Sequence, residues 1–177
     1  MKLADKVLME LISKMISKTQ SIFLPNFHMK YPNQSWSEVD LFQLTENDWT
    51  VEYEIKISKS DLRKDFDKVI WFNHYACKKH DVMLSGDRCN RFYFVIPKIF
   101  VQDKNIMGII PEKYGIITYD FEQKQKRNIF QYYRKAKILH KDKTVYRKFV
   151  INTALSKYNF LYIKYVKSQQ RLMERNK

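Results

Sequence analysis

Two alternating segments around a short polar turn constrain the fold of this chain more than any other feature. Residues 37–44 and 49–57 each alternate apolar and polar side chains, and Glu46-Asn47-Asp48 separates them. Period-two alternation on both sides of an Asn/Asp-bearing turn predicts a β-hairpin. We therefore expect two neighbouring antiparallel strands, each with its charged side chains on one face and its apolar side chains on the other.

The charged face of this predicted hairpin carries two acids and a lysine. Glu54 and Lys56 share one face of the second strand because they are two residues apart. The hairpin can bring Asp40 of the first strand alongside both of them. Two carboxylates and an amine at adjoining strand positions contribute little to packing, so we interpret them as a candidate chemical site.

These residues resemble the motif of the PD-(D/E)XK nuclease superfamily, which has the restriction-endonuclease-like fold. The match consists of Asp40, a gap of thirteen residues, and Glu-Ile-Lys at 54–56. Residues 54–62, EIKISKSDL, look like the E-[IV]-K-x-S-x-x-D-[FL] stretch of a bacterial and phage subgroup, some members of which are linked to DNA repair. Three later stretches resemble the subsequent core strands and the trailing basic segment of that subgroup: 90–97, 114–117 and 134–140. Val39 stands where a proline often precedes the motif Asp.

The resemblance implies an α/β architecture with a mixed sheet of four or five strands. The sheet would be flanked by the opening helix, the helix after Lys56 and a basic C-terminal helix. At 177 residues the chain is expected to be one domain, with a core over about 3–140 and a basic helical extension over about 141–177. The implied activity is Mg²⁺-dependent (or Mn²⁺-dependent) endonucleolytic hydrolysis of DNA, in repair, phage DNA metabolism or defence. Many nucleases of this fold act as dimers, so a homodimer is also expected.

The resemblance assigns a role to each motif residue. Asp40, Glu54 and Lys56 are the expected catalytic residues, and the two carboxylates match the oxygen ligands that Mg²⁺ prefers. The backbone carbonyl of Ile55 is the expected third protein ligand. Lys56 is expected to position water and stabilise phosphate charge, because its acidic neighbours favour the protonated amine. Glu10 on the first helix is a further candidate ligand; its alternative role is a solvent-facing partner of the lysines four residues away.

Positive charge is concentrated in the last third of the chain. The formal net charge is +14; residues 1–120 hold 17 Lys/Arg against 16 Asp/Glu, whereas residues 121–177 hold 16 against three. Such asymmetry favours contact with a polyanion, here DNA, although a solvated lysine-rich face is the alternative. The residues expected to contact DNA are Lys59, Arg63, Lys64, Arg134, Lys135 and Lys137.

Other functional classes receive less support from the sequence. No apolar run approaches the roughly 20 residues of a membrane span, and the N-terminal residues do not resemble a secretory signal, so a cytoplasmic location in a bacterial cell or phage-infected host is expected. Four residues have the ligand types of a zinc site: His74, Cys77, His80 and Cys89. Neither a Gly-rich phosphate loop nor a nucleophile elbow is present. A nucleic-acid-binding or DNA-packaging protein that kept the nuclease fold without its activity is the main alternative.

Periodicity predicts the remaining elements in order. Helical spacing predicts helices over 2–18, about 60–80, and about 143–175. Short apolar or aromatic runs predict strands at 92–96, 115–119 and 129–133. The segments 19–35, 81–90 and 99–111 are expected to be loops or irregular.

Overall fold

The structure is a computed structural model that describes residues 2–16, 21–30, 36–72, 74–85, 88–122, 129–141, 150–158 and 162–163. The chain divides into two compact units, residues 1–143 and residues 144–177. In the second unit, residues 150–158 are helical, as are residues 162–163. The rest of the helix expected over about 143–175 lies outside the described residues.

The first unit alternates helices with strands. Its helices are α1 (Leu3–Ile16), α2 (Lys59–Asp65), α3 (Lys79–Ser85) and α4 (Lys104–Ile109), with a 3-10 turn at Lys98–Gln102. Its strands are β1 (Ile22–Lys30), β2 (Trp36–Leu44), β3 (Thr50–Ile55), β4 (Val69–Phe72), β5 (Tyr75–Lys78), β6 (Arg91–Pro97), β7 (Gly115–Tyr119) and β8 (Phe130–Arg134). None of the helices within the described ranges is long and apolar enough to cross a membrane.

Six strands form one mixed sheet in the order β1-β2-β3-β6-β7-β8, and β4 and β5 form a separate hairpin. The β3–β6 and β6–β7 pairs are parallel, and the other neighbours in the sheet are antiparallel. The expected α/β class with a mixed sheet is therefore confirmed. The expected number of four or five strands is wrong, because β1 adds a sixth.

Helices cover both faces of the six-stranded sheet. On one face, Val7 and Leu11 of α1 pack in a cluster with Tyr53 and other sheet residues. On the other face, Leu62 of α2 and Ile106 of α4 pack in a second cluster, with β6 and β7. Because side chains alternate along a strand, β3 directs Tyr53 toward α1 and Glu54 toward the opposite layer. The candidate site therefore belongs to the α2 side of the sheet.

Strand β1 occupies a segment that the sequence predicts to be a loop. Pro25 suggested a loop, but β1 is the edge strand of the sheet, where a proline removes no hydrogen bond that a central strand would need. Pro25 pairs with Leu41 of β2. Between the paired positions on either side, Asn26 has a φ of 46° and stands opposite Asp40. The edge of the sheet is therefore irregular beside the candidate site.

The helix predicted over about 60–80 is the largest error of the sequence analysis. Only α2 forms, capped by the Ser58 side chain, which accepts a hydrogen bond from the Asp61 amide. The β4–β5 hairpin follows α2 in the chain, and buried and exposed residues alternate along β4. The run Val-Ile-Trp-Phe at 69–72 consists of β-branched and aromatic residues, which fit a half-buried strand better than a helix. His74, with a φ of 69°, reverses the chain.

Two further loops contain helical turns. The first half of the predicted 81–90 loop belongs to α3, and the predicted irregular 99–111 segment contains the 3-10 turn and α4. Asp103 begins α4 by accepting hydrogen bonds from the amides of Asn105 and Ile106. The predicted strands at 92–96, 115–119 and 129–133 are confirmed within one residue at each end. At the start of β7, a Cβ on Gly115 would lie 2.2 Å from the Tyr93 ring, so the close approach of these strands requires glycine.

Candidate functional site

The register of β2 and β3 places the two predicted acids opposite each other. The paired positions end at Leu41 and Tyr53, and one step further Asp40 faces Glu54. Residues opposite each other on antiparallel strands have their side chains on the same face. Asp40 Oδ2 accepts a hydrogen bond from the Ile55 amide at 2.7 Å, so a side chain replaces the next backbone bond between the strands. The structure thus brings Asp40 and Glu54 together where β2 and β3 stop pairing.

The backbone of Ile55 faces the same place. Within one strand residue, the amide and the carbonyl point to the same side. Because the Ile55 amide donates to Asp40, the Ile55 carbonyl also faces β2, as the sequence analysis expects of a ligand. The next amide, that of Lys56, donates instead to the Val95 carbonyl of β6 at 3.0 Å.

Glu54 is nearly enclosed by ammonium groups. Its Oε1 lies 2.8 Å from Nζ of Lys56 and 3.3 Å from Nζ of Lys68. Its Oε2 lies 3.0 Å from Nζ of Lys79. Burial alone would raise the pKa of Glu54, but the charges of Lys79, Lys56 and Lys68 outweigh burial and hold the pKa below its usual value. Glu54 is therefore an anion at neutral pH.

A third carboxylate, Asp65 at the end of α2, completes this network. Its side chain is fully buried, and Oδ1 lies 3.0 Å from Lys56 Nζ and 2.9 Å from Lys68 Nζ. Its Oδ2 lies 3.2 Å from Lys79 Nζ and 2.9 Å from His80 Nε2. Burial opposes ionisation of Asp65, yet the hydrogen bond from His80 and the nearby ammonium groups hold its pKa far below its usual value. Three lysines thus share two buried carboxylates.

Lys56 is held in place between the two buried acids. Burial alone would lower the pKa of the Lys56 amine, but the carboxylates of Glu54 and Asp65 raise it above its usual value. The amine is therefore protonated at neutral pH and cannot accept a proton as a general base. It can donate hydrogen bonds and stabilise negative charge.

Behind Asp65, a short buried chain of polar groups leads into the core. Burial lowers the pKa of His80 below its usual value, so the ring is neutral at pH 7. The neutral ring can donate from Nε2 to Asp65 at 2.9 Å and accept the Tyr114 hydroxyl proton at Nδ1, also at 2.9 Å. Burial raises the pKa of Tyr114, which keeps the hydroxyl protonated as this arrangement requires. His80 therefore fixes the orientation of Asp65.

Asp40 differs from the other two acids because cations do not surround it. Burial and the neighbouring charge of Glu54 raise the pKa of Asp40 to about 6. The Ile55 amide lowers this pKa in part, as do the charges of Lys56 and Lys79. Bringing Asp40 and Glu54 together therefore has an energetic cost in the absence of a further positive charge.

The structure does not bring Glu10 to the other candidate ligands. Glu10 is exposed on α1, whose buried residues pack on the sheet face opposite Glu54. The four residues with the ligand types of a zinc site have other environments: His80 binds Asp65 and Tyr114, the buried Cys89 thiol donates to the Met83 sulfur, His74 is exposed and Cys77 is half-buried. Across the described ranges, the structure contains no group of three or more His, Cys, Asp or Glu residues arranged to hold a metal.

The predicted DNA-contacting residues fall into two classes. Arg63, Lys64 and Lys135 are exposed, and so is Lys137, whose amine lies 3.7 Å from the Glu112 carboxylate. Lys59 pairs with Asp103 at 2.7 Å. Arg134 instead donates to three backbone carbonyls, those of Tyr114, Ile110 and Pro111, and so stabilises the turn before β7.

Sequence reasoning missed Asp65, Lys68, Lys79 and His80 as members of the site. The motif covers residues 54–62, and a continuous helix over 60–80 would place these four residues at different positions along its axis. The adjacent pair Lys-His at 79–80 gave no periodic signal, because its position depends on the hairpin that precedes it.

The raised pKa of Asp40 predicts a pH-dependent gain in stability for Asp40→Asn. The neutral form is favoured in the folded state, so the contribution of Asp40 is complete below the unfolded value of about 3.9 and is lost as pH rises through about 6. Because Asn cannot ionise, the metal-free variant should be more stable than wild type by about 1–2 kcal/mol at pH 8.

Urea unfolding in EDTA at pH 8 and pH 4.5 measures this difference. The gain should shrink strongly at the lower pH, where wild-type Asp40 is mostly protonated. A variant that is less stable than wild type at pH 8, or a difference that does not change with pH, would contradict the assigned strain between Asp40 and Glu54.

Comparisons with known proteins add one structural likeness. No protein-family model and no curated protein matches the chain. Among solved structures, the chain is similar to the SPO1766 protein of unknown function from Silicibacter pomeroyi, with 12% sequence identity and a TM-score of 0.49. The match covers 90% of this chain and 88% of that chain. A likeness at this level carries no argument about activity, so a functional assignment depends on the residues of the site.

Proposed function

We propose that this protein is a Mg²⁺-dependent (or Mn²⁺-dependent) DNA endonuclease with a restriction-endonuclease-like fold. The observation that carries the proposal is the position of Asp40 opposite Glu54, with the Asp40 carboxylate bonded to the Ile55 amide at 2.7 Å. Lys56 lies on the same face, 2.8 Å from Glu54. Two acids, a backbone carbonyl and an amine thus converge where two strands cease to pair.

The donor set fits a hard divalent cation. Mg²⁺ prefers oxygen ligands and is commonly held by one or two carboxylates with water and substrate phosphate. A cation between Asp40 and Glu54 would offset burial and the neighbouring charge of Glu54, which together raise the pKa of Asp40 to about 6. Both oxygens of Glu54 already contact ammonium groups, so the metal would share this carboxylate with Lys68 and Lys79.

A metal ion at this position would polarise the phosphate and activate water for attack. The chain's own residues would then have distinct tasks: Asp40, Glu54 and the Ile55 carbonyl would hold the ion, and Lys56 would donate hydrogen bonds to the attacking water or a phosphate oxygen. The protonated state of Lys56 supports this task and argues against proton abstraction by its amine. Asp65 keeps the Lys56 amine in position.

One observation favours the alternative of a non-catalytic nucleic-acid-binding protein: the Glu54 carboxylate pairs with the amines of three lysines. A buried acid with this many ammonium partners is stable without a metal, as expected of a protein that binds nucleic acid but does not cleave it. Exposed basic residues suit either function, since they would contact phosphates in both cases. The two functions differ in whether a divalent cation changes the DNA.

Incubation of the protein with supercoiled plasmid, linear DNA and branched DNA, with and without Mn²⁺, separates them. The nuclease should nick at least one substrate only when the metal is present. Retarded but intact DNA under all conditions would support the non-catalytic alternative and contradict the proposed hydrolysis.

A further inference from the structure

The β4–β5 hairpin, residues 69–78, exposes large apolar side chains beside the candidate site. Trp71 is 65% exposed, Tyr75 is 72% exposed and Val69 is 60% exposed. Such side chains are normally covered in a folded protein, so a group of them on one short element is a candidate binding surface. The hairpin also lies outside the nuclease-like motif, which consists of Asp40 and residues 54–62.

One face of the hairpin packs against α3, and the opposite face is exposed. Ile70 and Phe72 are buried with Val82 of α3 in a small cluster of their own. Alternation along β4 then directs Val69 and Trp71 outward. The cross-strand partner of Trp71 is Ala76, an exposed residue whose methyl group covers little of an indole ring. One face of Trp71 is therefore accessible to a planar ligand.

The charge of this element is entirely basic. Residues 68–80 contain three lysines and no Asp or Glu. Lys78 is exposed and pairs across the strands with Val69, on the same face as Trp71. The other two lysines, Lys68 and Lys79, lie side by side at the open end of the hairpin, where the Lys79 amide donates to the Lys68 carbonyl at 2.8 Å, and they contact Glu54 at 3.3 Å and 3.0 Å. The open end of the hairpin thus adjoins the candidate site, and the exposed face begins beside it.

We propose that the hairpin binds single-stranded nucleic acid, with a base stacked on Trp71 and a phosphate contacted by Lys78 on the same face. Exposed aromatic rings with interspersed cations are the usual elements of single-strand binding, because every base has a face that can stack. Paired bases of an intact duplex cannot reach such rings. Binding of single strands by the hairpin does not depend on the proposed nuclease function. The further claim that unpaired DNA is the substrate class for cleavage rests on that function.

Fluorescence anisotropy with a labelled twelve-nucleotide thymidine oligonucleotide in EDTA tests the binding step without cleavage. Trp71→Ala should weaken binding by roughly ten- to one-hundredfold, the effect expected for loss of one stacked base. Trp71→Phe should restore part of the loss. The matched control is Tyr133→Ala, because Tyr133 is 54% exposed but lies on β8 at the other edge of the sheet; its affinity should equal that of wild type.

The salt dependence of binding tests the proposed contact of Lys78 with a phosphate separately. Lys78→Gln should reduce the slope of log affinity against log salt concentration by about 0.7, the value for one phosphate contact on a single strand. If the slope of the variant equals that of wild type, Lys78 does not contact a phosphate.

The inference is wrong if wild type does not bind the oligonucleotide, or if Trp71→Ala binds it as tightly as wild type does. It is also wrong if Trp71→Ala loses binding to anionic lipid vesicles while oligonucleotide binding is unchanged, since the surface would then face a membrane. Failure of the nuclease proposal looks different: the oligonucleotide binds through Trp71, but no DNA is cut with any metal. A protein that cuts DNA, and whose Trp71→Ala variant binds and cuts normally, contradicts the hairpin inference alone.

Discussion

Replacing Asp65 with Asn should lower the free energy of unfolding by about 3–5 kcal/mol at pH 7, the range for removing one partner of a buried ion pair. The carboxylate is fully buried and lies within 3.2 Å of the amines of Lys56, Lys68 and Lys79. An amide of the same shape removes the negative charge, so three ammonium groups would share Glu54 alone. The desolvation of the buried Lys56 and Lys79 amines would then lack compensation.

Urea unfolding measures the loss, and Asp67→Asn is the matched control because Asp67 is exposed two residues further on. The control should differ from wild type by less than about 0.5 kcal/mol. Because the pKa of Asp65 is lowered by folding, its contribution is present above the unfolded value of about 3.9 and is lost at lower pH. A loss below about 1 kcal/mol at pH 7 would show that Asp65 does not compensate the three lysines.

The second large effect is on catalysis. Asp40→Asn and Glu54→Gln should each reduce Mn²⁺-dependent cleavage of plasmid by more than about 10³-fold, which corresponds to roughly 4 kcal/mol of transition-state stabilisation. Asp40→Asn should do so while gaining stability, because the strain that raises the pKa of Asp40 to about 6 is removed. Loss of cleavage by this variant therefore cannot result from unfolding.

The control for these variants is Glu112→Gln, since the Glu112 side chain is 89% exposed and its carboxylate lies 3.7 Å from the Lys137 amine, away from the candidate site. Its rate of plasmid nicking should equal that of wild type. Lys56→Gln should also cleave slowly. If Asp40→Asn or Glu54→Gln cuts plasmid at the wild-type rate, these residues do not hold the metal.

The central hairpin was predictable because its information is local. Alternation over 37–44 and 49–57 specifies which side chains share a face, and the polar turn specifies the pairing. The sequence pattern alone therefore predicts that Asp40, Glu54 and Lys56 lie together. The strands β6 and β7 were equally clear, because short buried aromatic and β-branched runs have few alternatives.

The rest of the site depends on contacts that are distant in the sequence. Asp65 and His80 are fifteen residues apart but lie 2.9 Å apart, because the chain leaves α2, forms a hairpin and returns. The run 69–77 contains apolar residues that satisfy a helical stripe as well as a strand, so periodicity could not decide between them. Strand β1 was missed because Pro25 is acceptable only on an edge strand, and edge position is a tertiary property.

The measurement that tests the central claim most directly is a titration of the metal-free protein with Mn²⁺, followed by electron paramagnetic resonance. Wild type and Glu112→Gln should each bind one ion saturably. Asp40→Asn and Glu54→Gln should bind it more than about tenfold more weakly, a loss that even a supporting residue of a metal site can cause. Binding of Mn²⁺ by Asp40→Asn with wild-type affinity, or no binding by wild type, would contradict a divalent cation between Asp40 and Glu54.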